Sequence, residues 1–206
     1  MNLKKIDPNL QKALIEGGLT DANELQQEIF STIKSGADCL VIAPEEAGKT
    51  TSIAISVIQR LSGAKEESPR ALIMVETKEK VLEMEALFTK LGEYSDLDFY
   101  GVHERGDIDY DKNMISTGVD ILIGTPDKLN EMFSTAGFNV NRLRMLVIDD
   151  LNQLLKSRHD SKIMRLSNSI AKTQRIAFAE TFDQKVDQFA EKFFEEPFVF
   201  DFNEDE

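Results

Sequence analysis

An α/β fold, with a mostly parallel sheet between two layers of helices, is predicted by three observations. Strand-like and helix-like stretches alternate from one end of the sequence to the other. The strand-like stretches are continuous apolar runs, as expected of strands covered on both faces. One such run, residues 40–43, turns into Gly48-Lys49-Thr50 at the head of an amphipathic stretch marked by Ile53, Ile55, Val57, Ile58 and Leu61. Strand, loop and helix in that order are the layout of a phosphate-binding loop.

The elements follow from periodicity and punctuation. A helix over 9–16 stops at Gly17-Gly18, a suitable C-terminal cap. A second starts near Asp21, read as its N-cap, and runs to Gly36. A strand over 39–43 feeds the helix over 49–61. The polar stretch Gly63 to Pro69 is a surface loop. Residues 71–75 (Ala-Leu-Ile-Met-Val) form a buried strand, and Val81, Leu82, Met84, Leu87 and Leu91 give 78–91 helical spacing. Strands at 97–102 and 119–123 enclose a short helix or turn. A helix over 127–133, a strand over 145–148, a helical region over 151–171, a strand over 175–179, a helix over 184–194 and a strand over 198–202 complete the order. Seven phenylalanines near the end (182, 189, 193, 194, 198, 200, 202) fall at core-facing spacing.

With 206 residues and 41% hydrophobic content the chain can bury a proper core. It contains no apolar run of membrane-spanning length and opens without a signal-like apolar segment, so no membrane partner and a cytoplasmic setting are expected. The single cysteine, Cys39, cannot form an internal disulfide and reads as core packing. The net charge of −13 opposes strong, nonspecific gripping of nucleic acid. His103 and His159 have no partner at metal-ligand spacing, so a histidine metal site is not expected.

Gly-Lys-Thr needs a carboxylate at the end of another apolar strand to order a Mg²⁺ shell. Leu146-Val147-Ile148-Asp149-Asp150 supplies it. Asp149 is the candidate for the metal's waters, with Thr50 as the second metal-side ligand, and Asp150 the candidate to orient an attacking water. In parallel sheets ligands sit at the carboxyl ends of strands, where both segments fall.

The order of these segments resembles the first RecA-like domain of a DEAD-box RNA helicase, from about Gly18 to Phe202. Gln26 matches the glutamine of the adenine-reading Q motif, although Ala22 and Asn23 replace its Pro and Thr. Residues 43–50 are similar to Ala-x-Thr-Gly-Ser-Gly-Lys-Thr, keeping Ala43, Gly48, Lys49 and Thr50. Glu76-Thr77-Lys78-Glu79 resembles Pro-Thr-Arg-Glu, and Thr125-Pro126-Asp127-Lys128-Leu129 resembles Thr-Pro-Gly-Arg-Leu. Asp149-Asp150-Leu151-Asn152 stands for Asp-Glu-Ala-Asp, and Ala179-Glu180-Thr181 for Ser-Ala-Thr. The resemblance implies a RecA-like P-loop three-layer sandwich in one domain over 1–206: Q-motif-like N-terminal helices to residue 36, a core over 37–202, and an acidic tail over 203–206. It implies ATP or ADP with Mg²⁺ held by Gln26, Ala47, Gly48, Lys49, Thr50 and Thr51. Weak RNA contact is implied through Thr77, Lys78, Gly101, Thr125 and Lys128.

The departures from the family's pattern fall on its motifs. Glu46 replaces a glycine whose φ is expected to be positive, at a cost of about 1 kcal/mol or more. A carboxylate about 6 Å from a phosphate charge repels it by roughly 3 kcal/mol at an effective dielectric near 20. Asp150 for Glu draws the carboxylate back by about 1.5 Å, and a misplacement of about 1 Å can cost 10²-fold in rate. Asn152 and Ala179 are expected to remove polar groups that couple the nucleotide and RNA sites. Asp127 and Glu76 put negative charge on the RNA side, and Lys78 and Lys128 lack the bidentate fork of Arg. Family members clamp ATP and RNA between two such domains, and this sequence carries one, so unwinding by this chain alone is not expected. Two readings follow. The preferred one is a nucleotide-binding helicase-like domain with weak or no hydrolysis, completed by a protein partner or a second RecA-like domain. The other is a pseudo-helicase interaction module with a vestigial site.

Overall fold

The computed structural model describes residues 2–61 and 68–203. The loop expected from Gly63 lies outside the described residues up to Glu67, as do Glu204, Asp205 and Glu206 of the acidic tail. Two helices come first. Asp7 caps α1 (Pro8–Glu16), its carboxylate accepting from the amides of Asn9 and Leu10, with Pro8 at the first helical position. The second, α2 (Glu24–Ser35), begins two residues later than expected. Its cap is Asn23, which forms a capping box with Gln26, while the Asp21 carboxylate accepts from the Thr20 hydroxyl instead. Gly36, at φ 92, ends it in the left-handed conformation that favours glycine.

The chain then alternates: β1 (Cys39–Ile42), α3 (Lys49–Leu61), β2 (Ala71–Met74), α4 (Lys78–Leu91), β3 (Phe99–Val102), α5 (Ile108–Ser116), β4 (Ile121–Gly124), α6 (Pro126–Ser134), β5 (Met145–Ile148), α7 (Leu151–Lys156), α8 (Asp160–Ser169), β6 (Gln174–Ala179), α9 (Gln184–Phe193) and β7 (Phe198–Asp201). The stretch read as one helix from 151 is two. Ser157-Arg158-His159-Asp160 offers no apolar residue to a helix face, and Arg158 takes φ 60 where the chain breaks.

The described strands form one seven-stranded sheet in the order β3-β4-β2-β5-β6-β1-β7. Every pairing is parallel, with Cys39 opposite both Ile176 and Phe198, and Ala71 opposite Met145. The order dictates the layers. From β1 to β2 to β3 the chain steps one way across the sheet, and from β3 onward it steps back. Right-handed crossovers therefore send α3 and α4 to one face and α5 to α9 to the other. The two apolar clusters divide accordingly. Val41, Ile73, Val147 and Phe178 pack against α1–α4, whereas Leu40, Leu72, Leu146 and Ala177 pack against α5–α9. This is the expected three-layer α/β architecture of a RecA-like domain.

Cys39 is fully buried in β1, and that burial, with Asp38 beside it, pushes its thiol up to about 12. The phenylalanines do not all enter the core. Phe189, Phe193 and Phe194 do, but Phe182 is 50% exposed and Phe198 57% exposed. Phe198 lies on β7, an edge strand hydrogen-bonded on one side to β1, so half its packing surface has no neighbouring strand. Among the described residues no helix is long and apolar enough to cross a membrane.

Candidate functional site

The ends of β1, β2, β5 and β6 meet along the carboxyl edge of the sheet, where β6 separates β1 from β5. After Ala43 and Pro44 the chain turns tightly, the Ala47 amide donating to the Pro44 carbonyl at 3.3 Å. The turn needs two left-handed residues, Glu46 at φ 64 and Gly48 at φ 86. Glycine suits the second well, because a Cβ there would stand 3.0 Å from the Asn23 Nδ2 atom. The first is filled by a glutamate, so the backbone cradle persists with strain at Glu46. Both Glu45 and Glu46 are exposed at the rim.

Lys49 opens α3 and its side chain curls under the loop. Its Nζ donates to the carbonyls of Ala43 at 2.6 Å and Pro44 at 2.7 Å. The ammonium thus rests on the loop's own oxygens. The next residue faces the second segment: Thr50 Oγ1 lies 3.3 Å from Asp149 Oδ2. Asp149 follows β5, its amide tied to the Met74 carbonyl at 3.0 Å, and is almost wholly buried. Burial, reinforced by the charge of Asp150, pushes its carboxyl up to about 6. Asp150 sits at φ 52 and donates its amide to Asp149 Oδ1 at 3.0 Å, so its side chain leaves the strand in a different direction and lines the cleft. A hydroxyl and a buried carboxylate side by side are an oxygen pair of the kind Mg²⁺ accepts, and a dication there offsets the desolvated charge. The residues present fit a Mg²⁺–nucleotide in that respect.

Gln26 reaches the loop from α2. Its side-chain carbonyl is spent on the Asn23 amide, and its Nε2 points toward Gly48. Asn23 ties the same loop directly, its Nδ2 donating to the Ala47 carbonyl at 2.9 Å. Asn23, one of the two replacements in the Q-motif-like segment, is therefore both helix cap and loop anchor. Asn152 also departs from expectation. Its Nδ2 donates to Thr181 O and Thr181 Oγ1, both at 3.0 Å, and its Oδ1 accepts from the Glu180 amide at 2.8 Å. The amide keeps a polar link between the segments after β5 and β6, since the carboxamide has a donor and an acceptor to offer. Ala179 is buried and contributes no such group.

The residues expected to meet nucleic acid differ in exposure and in their contacts. Thr77 caps α4, its Oγ1 accepting from the Lys80 amide, and Lys78 begins that helix half-buried. Gly101 packs under α4: its amide donates to Glu85 Oε1 at 2.7 Å, and a Cβ there would come within 2.6 Å of Val81. Thr125 is buried and its hydroxyl has no hydrogen-bond partner. Lys128 is also buried, its Nζ 3.2 Å from Asp111 Oδ2 and 3.0 Å from the Gly106 carbonyl. Its charge is neutralised inside the fold, contrary to the expectation of a cation offered to RNA phosphate. Of the two acidic departures, Glu76 accepts from the Ser157 hydroxyl at 2.9 Å, and Asp127 pairs with Lys162.

The cleft over the loop has a volume of about 450 Å³. Thr51 lines it with Glu45, Glu46, Glu83, Asp150 and Glu180, so carboxylates dominate its walls. Lys80 also lines it, a residue sequence reasoning missed. Burial pulls its ammonium down, but Glu83 at 3.3 Å, with Asp150 and Asp149, holds it above its ordinary value. Its signal in the sequence was only its place in the first turn of α4, three residues after the Thr77 cap. Among the described residues no group of three or more His, Cys, Asp or Glu side chains stands at metal-binding distance.

Comparison with known proteins agrees with this geometry. Residues 23–189, from the Asn23 cap to Phe189 in α9, match the family model of the DEAD/DEAH box helicases. The chain is 27% identical over 198 residues to the ATP-dependent RNA helicase eIF4A of Lodderomyces elongisporus, covering 96% of this chain and 49% of that protein. It is 27% identical to the same protein of Debaryomyces hansenii, with the same coverage. To eukaryotic initiation factor 4A of Caenorhabditis elegans it is 22% identical over 198 residues, covering 93% of this chain and 48% of that protein. The chain spans about half the length of the curated relatives it matches. With loop, acidic strand end and bridging segment in the family's order on a parallel sheet, and the family model matched across most of the chain, this protein belongs to the DEAD/DEAH box helicase family.

Proposed function

We propose that this chain is a helicase-like nucleotide-binding domain that takes ATP or ADP with Mg²⁺, hydrolyses ATP weakly or not at all, and unwinds nothing alone. The observation that carries this reading is the meeting of Thr50 and Asp149, ninety-nine residues apart in sequence and 3.3 Å apart in space, beside Lys49. The amides of the Glu46–Thr50 turn cradle phosphate, Lys49 swings from the Ala43 and Pro44 carbonyls onto it, and Thr50 and Asp149 hold the Mg²⁺ side. Gln26 and Thr51 flank the nucleotide. Bound Mg²⁺ supplies charge neutralisation at the phosphates. Asp150 is the water-orienting candidate, with a shorter reach than the family's glutamate.

The domain is read as one RecA-like unit over 1–206 in a cytoplasmic setting, completed by a protein partner or a second RecA-like domain. RNA contact is weak, through Thr77 and Lys78 at the head of α4 and Gly101 beside that helix, with Thr125 and Lys128 buried. A second reading, an interaction module with a vestigial site, is favoured by the carboxylate-lined cleft and by the Lys49 ammonium satisfied within its own loop. Calorimetric titration with ATP and ADP in Mg²⁺ decides between them. Binding between micromolar and sub-millimolar, lost in Lys49→Ala, is expected. No binding at millimolar nucleotide would leave the interaction module.

A further inference from the structure

Six large apolar side chains are exposed among the described residues, and two of them, Phe198 and Val199, are neighbours on β7, each 57% exposed. The strand stands last in the sheet order, with β1 on one side and, among the described residues, no strand on the other. The Phe198 and Phe202 amides donate to the Asp38 and Ile42 carbonyls at 2.9 and 2.8 Å. Successive residues of a strand bond to opposite sides, so the N–H and C=O groups of Val199 and Asp201 point off the sheet. Side chains alternate as well. Phe198, Phe200 and Phe202 form a row on the face that carries α1–α4, with the Phe200 and Phe202 rings stacked at 6.4 Å at the rim of that core. Val199 and Asp201 stand on the opposite face, both exposed.

Natural edge strands are blunted by lysine, proline, a bulge or a covering element. Phe198-Val199-Phe200-Asp201 contains neither lysine nor proline, and its pairing with β1 runs through four consecutive residues without a bulge. An edge this apolar and this regular is a template for another strand. Charge selects which strand. From Glu195 to Glu206 the sequence holds six carboxylates and no cation. Glu195, Glu196 and Asp201 are exposed beside or on the strand. A second copy pairing through the same edge about a twofold axis would set these carboxylates against their own counterparts, which opposes self-pairing. A strand bearing cations meets the opposite sign.

We propose that the free edge of β7 binds an extended, basic segment of a partner protein by strand addition. Alternate apolar side chains of that segment lie beside the row of Phe198, Phe200 and Phe202, and its lysine or arginine side chains lie beside Val199 and Asp201. The main-chain groups of Val199 and Asp201 supply the hydrogen bonds, and the carboxylates select the sign of the partner's charge. The surface is independent of the nucleotide reading, since no residue of β7 lines the nucleotide cleft.

The test is residue-resolved NMR titration of the whole chain with a short peptide of alternating lysine and valine. One control peptide carries glutamate in place of lysine, and another glycine in place of valine. Saturable shifts over 198–202, with slowed hydrogen exchange at the Val199 and Asp201 amides, are expected from the lysine–valine peptide and from neither control. Val199→Pro removes an outward N–H, a change that an edge strand tolerates, and should weaken binding about tenfold. Val199→Lys leaves the backbone intact and sets a cation against those of the peptide, so it should weaken binding even where the proline variant fails to fold. The proposal is overturned if the lysine–valine peptide leaves 198–202 unshifted, if shifts arise there without slowed exchange at Asp201, if either control matches it, or if Val199→Lys binds like the parent.

Discussion

Lys128 Nζ lies 3.2 Å from Asp111 Oδ2, and both side chains are buried, joining the first turn of α6 to α5. Tyr100 of β3 donates its hydroxyl to the other Asp111 oxygen at 2.9 Å. A position expected to present charge to RNA instead fastens a helix to the sheet. Removing one partner strands the other charge in a dry site, so Lys128→Ala should destabilise the fold by about 3 kcal/mol or more. Chemical denaturation measures it, and a loss under 1 kcal/mol would contradict the buried pair.

Glu46 holds φ 64 at the head of the phosphate-binding loop. Glycine takes that conformation without a Cβ penalty, and Glu46→Gly also removes a carboxylate from the cleft rim. The variant should be more stable by about 1 kcal/mol. It should also bind ADP about tenfold tighter, a gain smaller than an unscreened charge would give because Glu46 faces solvent. Calorimetry on the two proteins reads both effects. Unchanged affinity would show that the glutamate's charge does not reach the phosphate.

Asn152 bridges the segments that follow β5 and β6 through both ends of its carboxamide. Asn152→Ala should cost about 1–2 kcal/mol, the value of two or three partly exposed neutral hydrogen bonds. Asn152→Asp keeps the acceptors for the Glu180 and Thr181 amides and should recover part of that loss. Equal stability of Asn152→Ala and parent would remove the bridge from the account.

Asp149 titrates at about 6 in the folded chain, raised by burial and by Asp150, against an ordinary value of 3.8. Between those values the native state holds more proton than the unfolded state, so stability falls as pH rises through the window. Above it the ionised Asp149 costs on the order of 3 kcal/mol in metal-free protein. Asp149→Asn should lose that pH step. Denaturation midpoints of the two proteins in chelator should diverge from about pH 4 to about pH 6, with the variant the more stable at neutral pH. Parallel curves would refute the raised carboxyl.

The strand–helix alternation, the parallel sheet, the phosphate-loop layout and the Asp149 strand end were legible because each is local. Continuous apolar runs such as 71–75 and 145–148 announce strands buried on both faces, and Gly48-Lys49-Thr50 announces a loop at a helix head. Errors came where local signals competed. Asp21 and Asn23 are both good caps, and only the reciprocal bond with Gln26 chose Asn23. The fate of Phe198 depended on which strand ended at an edge.

The sequence by itself determined the order of elements, their faces and the family, since periodicity and motif spacing are written along the chain. Tertiary structure alone decided which charges meet. It turned Lys128 inward onto Asp111, let Asn152 restore a link that its identity had seemed to break, and left Phe198 and Val199 bare at the edge of the sheet. The reason is physical: burial and the direction of a side chain set its charge and its partners, and both depend on what the crossovers bring alongside.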